Sequence, residues 1–290
     1  MISIAHLGPP GTYAEQAALH YLNWLTKTTK EEALLCPYSS IFQTLDSVAK
    51  GEVDLAVAPV ENSIQGGVTV TLDTLWLLNN LQIQLALVIP ITHALISCSQ
   101  DLNKIKTVYS HPQALAQCQQ WLEKFLPKVQ LIPTNSTTEA LQKLENMETA
   151  AAISSRRAAQ IYNIPVLVNG INDYPENFTR FWVISQSGDN PKHKIAANTA
   201  FYTSLAFSVP ANVPGALVKP LQAFANQNIN LSRIESRPTK RSLGEYLFFI
   251  DLEADVSSIQ MQSALAELSN HTEILKILGS YNILPTESLS

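Results

Sequence analysis

Along the first two-thirds of the chain, short apolar runs alternate with stretches whose apolar residues recur every three or four positions. The runs at 3–7, 34–38, 54–60, 82–91, 94–98, 107–110, 129–133, 151–154 and 180–185 have the length and composition of strands. The segments at 13–25, 41–50, 68–78, 114–126, 137–147 and 155–162 carry the helical period. Ser136 and Glu139, in S-T-T-E, read as a capping box at one helix start. This alternation predicts α/β layers with largely parallel sheets. A polar, turn-rich stretch at 186–200 then reads as a linker. Beyond it the order becomes strand 203–209, helix 214–227, strand 229–236, strand 245–252, helix 257–269 and strand 274–280. That β-α-β-β-α-β order is ferredoxin-like. Pro214 suits a helix start, where a missing N–H costs nothing.

Composition narrows the class. The chain has 290 residues, 46% hydrophobic and 15% charged, enough for packed cores in roughly two domains and too apolar for a disordered chain. The net charge is −5 and neither part is basic, so nucleic acid has no electrostatic footprint here. A small anionic ligand must be held by a few placed groups rather than by a global field. Cys36, Cys98 and Cys118 are odd in number, far apart and without zinc spacing, which predicts free thiols in a reducing compartment. The start MISIAHLG lacks the features of a signal peptide, and the apolar run 85–91 is too short to span a membrane. The expectation is a cytoplasmic protein with no metal, nucleic-acid or membrane partner.

Four polar motifs stand at strand ends. Gly8-Pro9-Pro10-Gly11-Thr12-Tyr13 lies between the first strand and helix, where glycines admit a ligand to the backbone and a helix N-terminus favours an anion. An ordinary turn accounts for it equally well. Its prolines exclude a dinucleotide fingerprint, and it lacks the lysine of a P-loop. Glu61-Asn62-Ser63, before Gly66-Gly67, follows the strand 54–60 at the end where α/β sheets bind ligands. A helix N-cap would use the same Asn or Ser. Ser110-His111-Pro112 follows another strand, and Gln117 sits two turns further on, which lets both Ser110 and Gln117 face one site. The Ser-His pair is not read as a hydrolase, because chain neighbours rarely bond as nucleophile and base and no G-x-S-x-G elbow exists. In Asn177-Phe178-Thr179-Arg180-Phe181, Thr179 offers a hydroxyl and Arg180 a fork that grips carboxylates.

LGPPGTYAEQAA, PVENSIQGGV, SHPQALAQC and NFTRF, in this order and at these intervals, resemble the prephenate dehydratase family from about residue 4 to residue 282. The segment VPGALVKPLQAFANQNINLSRIESRP resembles that family's ACT regulatory domain. Departures are mild: Ala58-Pro59-Val60 stands where Val-Pro-Ile is common, and Asp173-Tyr174-Pro175-Glu176 varies the run before TRF. The resemblance implies a two-lobed, periplasmic-binding-protein-like α/β catalytic domain over 1–186. Its lobes would be about 1–80 with 180–186, and 81–175. A linker at 187–200 and an α+β ferredoxin-like ACT domain at 201–282 would follow.

The implied reaction is the decarboxylative dehydration of prephenate to phenylpyruvate, CO2 and water in L-phenylalanine biosynthesis, with no cofactor and with L-phenylalanine as effector. Thr179, Ser110, Gln117 and Asn62 are implied as catalytic, and Thr12, Glu61, Ser63, Arg180 and Phe181 as substrate-binding. Asn212, Gly215, Ala216, Leu217, Glu235, Ser236, Arg237 and Pro238 are implied as effector-binding, at ACT–ACT contacts of a homodimer or homotetramer. Arg180 is either a carboxylate anchor or a structural ion pair, and Glu61 either an acid or structural. Arogenate dehydratase shares these motifs. A non-catalytic amino-acid sensor would share the architecture, but would have no need of the Thr179 hydroxyl.

Overall fold

In the computed structural model of the chain, residues 1–144, 147–188 and 201–284 are described. The first lobe contains β1 (Ile2–Leu7), α1 (Tyr13–Thr29), β2 (Ala33–Tyr38), α2 (Ile41–Ala49), β3 (Leu55–Asn62), β4 (Gly66–Gly67), α3 (Thr69–Leu77) and β5 (Leu81–Pro90). The second contains β6 (His93–Ile96), β7 (Thr107–Ser110), α4 (Pro112–Ala116), α5 (Gln119–Phe125), β8 (Gln130–Pro133), α6 (Glu139–Gln142), β9 (Ala150–Ser155), α7 (Arg156–Ile161) and β10 (Val166–Asn169). The chain then returns to the first lobe as β11 (Phe178–Gln186). The C-terminal unit is β12 (Tyr202–Ser208), α8 (Val218–Asn226), β13 (Leu231–Pro238), β14 (Tyr246–Leu252), α9 (Ile259–Ser269) and β15 (Ile274–Leu284). Residues 189–200 of the expected linker lie outside the described residues.

Local chemistry sets the helices that border the interlobe space. Thr12 caps α1, accepting the Glu15 N–H at 3.2 Å, and Ser40 caps α2 in the same way through Gln43 at 3.2 Å. Ala14, Ala17, Ala18, Tyr21 and Leu25 recur at three- and four-residue steps and are buried under the sheet. Burial of side chains such as Tyr21 and Leu25 contributes about 1.5–3 kcal/mol each.

Three expectations change. The sheets are mixed: β1 pairs in parallel with β2 and β3, but β11 runs antiparallel to both β3 and β5. A chain that leaves a lobe on β5 and comes back on β11 makes those neighbours antiparallel. For the same reason β5, residues 81–90, belongs to the first lobe's sheet and not to the second lobe. The lobes therefore join at 91–92 and 172–177, where Asn172 bonds both the His93 N–H, at 2.6 Å, and the Ile91 carbonyl, at 2.9 Å. The third change concerns α8, which begins at Val218 rather than Pro214, because Gly215 has φ +81°, outside the right-handed helix.

The C-terminal unit is fused to the first lobe by hydrogen bonds. Asn282, Ile283 and Leu284 of β15 pair in parallel with Leu85, Ala86 and Leu87 of β5, giving one ten-stranded sheet in the order β13-β14-β12-β15-β5-β11-β3-β1-β2, with β4 on β3. A bulge at Leu278, between Ile277 and Gly279, precedes the stretch of β15 that reaches the first lobe. At Gly279 a Cβ would run into the Ile83 backbone, so the strands meet at a position that only glycine fills. Leu278, Tyr281, Phe249 and Leu247 then share a core with Trp182, Ile184, Leu72 and Leu75 of the first lobe.

Candidate active site

A cavity of about 590 Å³ opens between the lobes. The first lobe lines it with Thr12 and Tyr13 at the start of α1, Ser39 and Ile41 at the start of α2, Asn62 at the end of β3, and Thr179 and Phe181 on β11. The second lobe adds His93, His111, Gln113, Gln117, Asn135, Ser136 and Thr137. Every described lining residue is formally neutral at pH 7 when its imidazoles are unprotonated. Burial lowers the pKa of His93, against a smaller opposing effect of Gln117, and burial also lowers that of His111. The Tyr13 phenol is pushed far up, first by burial and then by Cys118.

Four amide and hydroxyl groups form a line across the floor. Asn62 Nδ2 donates to Thr179 Oγ at 2.9 Å and to Asn177 Oδ1 at 2.8 Å. Asn177 Nδ2 donates to Gln117 Oε1 at 3.1 Å, and His93 Nε2 lies 2.8 Å from the same oxygen. Asn62 Oδ1 accepts the N–H groups of Ile64 at 3.1 Å and Gln65 at 3.2 Å, the Asx turn that follows β3. Since the Thr179 oxygen accepts from Asn62, its own proton is left for a ligand. Gln117 Nε2 is buried without a hydrogen-bond partner.

The expected site residues divide sharply. Thr179, Gln117, Asn62 and Phe181 meet at the cavity. Thr12 lines it too, but its hydroxyl donates to the Leu7 carbonyl at 3.2 Å and caps α1, so it contributes helix geometry. Ser110 does not face the cavity: fully buried, it donates to the Ile153 carbonyl at 2.6 Å. Ser110 is tied to β9, which pairs with β7, and the expected two-turn helix is also broken, since α4 ends at Ala116 and α5 begins at Gln119, with Gln117 at the break. Ser63 is exposed and accepts the Phe178 N–H at 3.0 Å.

Arg180 and Glu61 lie behind the sheet. Thr179 and Arg180 are successive strand residues and point to opposite faces. The Arg180 Nη2 bonds Glu61 at 2.7 Å and Asp251 of β14 at 2.6 Å, the contacts of an ion pair, and Arg180 does not line the cavity. Beside them Arg233 reaches Glu235 at 2.6 Å.

The expected effector residues are likewise split. Asn212, in an exposed loop, borders a cavity of about 130 Å³ that also contacts Ser208, Arg241, Glu245 and Glu273. Gly215 is exposed with φ +81°, and next to it Ala216 is half-buried, while Leu217 packs on the core under α8. Glu235 lies against Gly67 and Arg233, and Arg237 forms a fork with Asp73 of α3, both contacts at 3.1 Å. Ser236 and Pro238 are exposed on β13. Within one chain, Arg237 thus ties the C-terminal unit to the first lobe, and Glu235 lies against that lobe at Gly67.

Asn177, His93 and Tyr13 were not singled out by the sequence, although Asn177 stands inside NFTRF and Tyr13 inside GPPGTY. An asparagine directly before the strand that carries Thr179, inside a motif already singled out, was the available signal, and its full burial appears only in the structure.

A family model described as prephenate dehydratase matches residues 4–189, and one described as the ACT domain matches 203–270. The bifunctional chorismate mutase/prephenate dehydratase of Aquifex aeolicus (strain VF5) is 40% identical over 280 residues, 97% of this chain and 73% of that protein. The crystal structure of prephenate dehydratase from Arthrobacter aurescens in complex with L-Phe is 34% identical, with TM-score 0.84 over 97% of this chain and 90% of that one. GqqA, a quorum quenching acylase, is 26% identical, with TM-score 0.80 over 98% and 99% of the two chains. Motifs, topology and near-complete coverage agree, and the chain belongs to the prephenate dehydratase family, with an ACT domain at its C-terminal end.

Proposed function

We propose that the interlobe cavity converts prephenate to phenylpyruvate, CO2 and water, and that L-phenylalanine regulates the reaction through the ACT domain. The electron pair of the ring–carboxylate bond passes into the ring as CO2 departs, and the C4–oxygen bond breaks as hydroxide leaves and takes up one proton from solvent to become the product water. Aromaticity supplies the driving force, so the protein's task is orientation and placed dipoles. The observation that carries this reading is the Thr179 hydroxyl, which accepts from Asn62 and keeps its proton for the cavity. A bond from Thr179 to the leaving oxygen strengthens as negative charge develops there. Gln117 Nε2 donates to a second substrate oxygen. The substrate carboxylates meet the N-terminal turns of α1 and α2, where backbone N–H groups are unpaired and the helix end is positive. Phe181 packs against the ring.

The family's Phe complex supports the effector reading. Self-association through the ACT domains is supported by β13, which ends the ten-stranded sheet with one edge unpaired among the described residues. A cytoplasmic location fits three free cysteines, and no described helix is long and apolar enough to cross a membrane. An acylase like GqqA is not favoured, because the Ser110 hydroxyl is committed to Ile153 and His111 Nδ1 accepts the Gln113 N–H.

The test is to supply the purified protein with prephenate and arogenate separately and to follow phenylpyruvate and phenylalanine, with and without added L-phenylalanine. Phenylpyruvate from prephenate, suppressed by L-phenylalanine, is expected. Preferential turnover of arogenate would make the chain an arogenate dehydratase. L-phenylalanine binding without turnover of either substrate would make it a sensor.

A further inference from the structure

The direction of every hydrogen bond across the cavity floor is set from one end. Asn62 Oδ1 faces two backbone N–H groups, those of Ile64 and Gln65. Backbone donors cannot reverse, so the atom opposite them must be the amide oxygen. Asn62 Nδ2 therefore points at Asn177, and the Asn177 atom 2.8 Å away must be its oxygen. Asn177 Nδ2 is then the group 3.1 Å from Gln117, and the Gln117 atom it meets must in turn be oxygen. His93 Nε2, 2.8 Å from that oxygen, must carry a proton. Gln117 is 5% exposed and Asn177 0%, so neither amide can turn to solvent instead. What remains at the end is Gln117 Nε2, buried, unpartnered and on the cavity wall.

We propose that Asn177 is a positioning residue for the dehydratase site: it relays the polarity of the Asx turn at Asn62 to Gln117, so that the cavity presents the Gln117 amide nitrogen as a donor. The same turn orients Asn62 toward Thr179, whose proton is thereby freed. Two donors facing one cavity suit a substrate rich in oxygen acceptors. A reversed Gln117 would place an acceptor oxygen against a substrate carboxylate or keto oxygen. That substrate role rests on the prephenate reading given above, whereas the relay itself rests only on the geometry.

His93 reports the relay without any substrate. With Gln117 oxygen facing it, neutral His93 must be protonated at Nε2 and bare at Nδ1, and the 15N shifts of labelled histidine, assigned by comparison with His93→Gln, distinguish the two tautomers. The wild-type protein should show a single Nε2–H tautomer. In Asn177→Leu, similar in shape, Asn62 keeps Thr179 and the Phe178 carbonyl as acceptors, but Gln117 loses its director. Both His93 tautomers should then be populated, and kcat/KM for prephenate should fall about tenfold or more. Gln117→Glu presents oxygen to both Asn177 and His93, so the fold and the proton on His93 Nε2 should persist, as the Nε2–H tautomer or, with a carboxylate beside it, as the imidazolium. Its kcat/KM should nevertheless fall by about 10²-fold, since the cavity donor is gone.

A wild-type His93 protonated at Nδ1 would overturn the relay. So would a folded Asn177→Leu protein with one unchanged tautomer and full activity, or a Gln117→Glu protein whose His93 carries no proton on Nε2. Should Asn177→Leu fail to fold, the wild-type tautomer and Gln117→Glu decide alone. A correct tautomer pattern in a protein that leaves prephenate unchanged would sustain the relay and reject the substrate.

Discussion

Arg180 and Asp251 meet at 2.6 Å across the junction between the lobe that carries Thr179 and the ACT domain. Asp251 is 1% exposed, and its other oxygen accepts from Ser204 at 2.6 Å. Ser204 touches the Tyr281 hydroxyl at 2.8 Å, which accepts from Trp182 at 3.1 Å. Alternate residues of β11 thus serve different masters. Thr179 and Phe181 face the cavity, whereas Arg180 and Trp182 are gripped by the ACT domain.

The consequence for Arg180 is structural. Asp251→Asn leaves a buried guanidinium with only Glu61, and breaking a buried pair in this way costs about 3–5 kcal/mol. Both contacts come from the single Nη2, so Arg180→Lys keeps a charge that can donate to two carboxylates but carries it on a shorter stem, and should cost roughly 1–2 kcal/mol. Both variants should show lower Tm by calorimetry with KM for prephenate close to wild type. A raised KM in a protein of unchanged stability would return Arg180 to the cavity.

Removing residues 189–290 tests how far the catalytic part stands alone. All cavity residues precede this segment, so the fragment should retain dehydratase activity and lose its response to L-phenylalanine. It should also be less stable, because β5 becomes a sheet edge and Trp182 loses Tyr281. Melting temperature and concentration-dependent light scattering check both points. A fragment as stable as the whole chain would mean that the β5–β15 pairing contributes nothing.

Thr179, Asn62 and Gln117 were legible because each stands in a local motif at a strand or helix end, where α/β sheets place ligand groups. Period-two alternation also says that Thr179 and Arg180 face opposite ways. What waits behind the sheet is not local: Asp251 lies 71 residues from Arg180. The polar stretch 186–200 suggests a separable domain, yet Asn282–Leu284 add themselves to β5, a pairing no local pattern announces. Asn177 was passed over because its amide direction is decided at Asn62, 115 residues earlier in the chain.

Thr179→Val removes the donor without changing the side chain's shape. Asn62 Nδ2 keeps Asn177 and the Phe178 carbonyl, so the floor should survive. Loss of one transition-state donor predicts a fall in kcat of about 10²-fold or more. Thr179→Ser should retain most of the rate. Steady-state kinetics on protein shown to be folded by circular dichroism decide it, and near-normal turnover by Thr179→Val would remove the hydroxyl from the chemistry.

His93 gives stability a pH dependence of defined sign. Burial holds its folded pKa below the unfolded value of about 6.5. Between those two values the unfolded chain binds more protons, so unfolding free energy rises with pH across that window and is flat above it. The stability that neutral His93 brings is therefore complete above about pH 6.5 and is lost as pH falls. Urea titrations from roughly pH 5 to 7.5 should show this limb in the wild type. In His93→Gln the limb should be shallower. Equal slopes would assign the acid sensitivity to other groups.

Gly11 controls how closely the lobes approach. Its carbonyl accepts the Ser155 hydroxyl at 3.0 Å, and its N–H donates to Glu15 at 2.8 Å, which also meets Arg157 of α7 at 3.1 Å. Gly11 has φ +89°, and a Cβ there would lie 3.1 Å from that of Ala158 and 3.2 Å from Thr138 Cγ2. Gly11→Ala is thus opposed twice, by backbone conformation and by contact with the second lobe, and should cost about 1–3 kcal/mol. The strain can be relieved by parting the lobes, which would draw Thr137 and His111 away from Thr179 across the cavity. Small-angle scattering should show a larger radius of gyration, and kcat/KM should fall more than stability alone explains. Arg157→Ala, which removes only a half-exposed partner, should do much less. If Gly11→Ala lowers Tm while scattering and kcat/KM stay at wild type, the glycine serves its own turn and not the closure of the lobes.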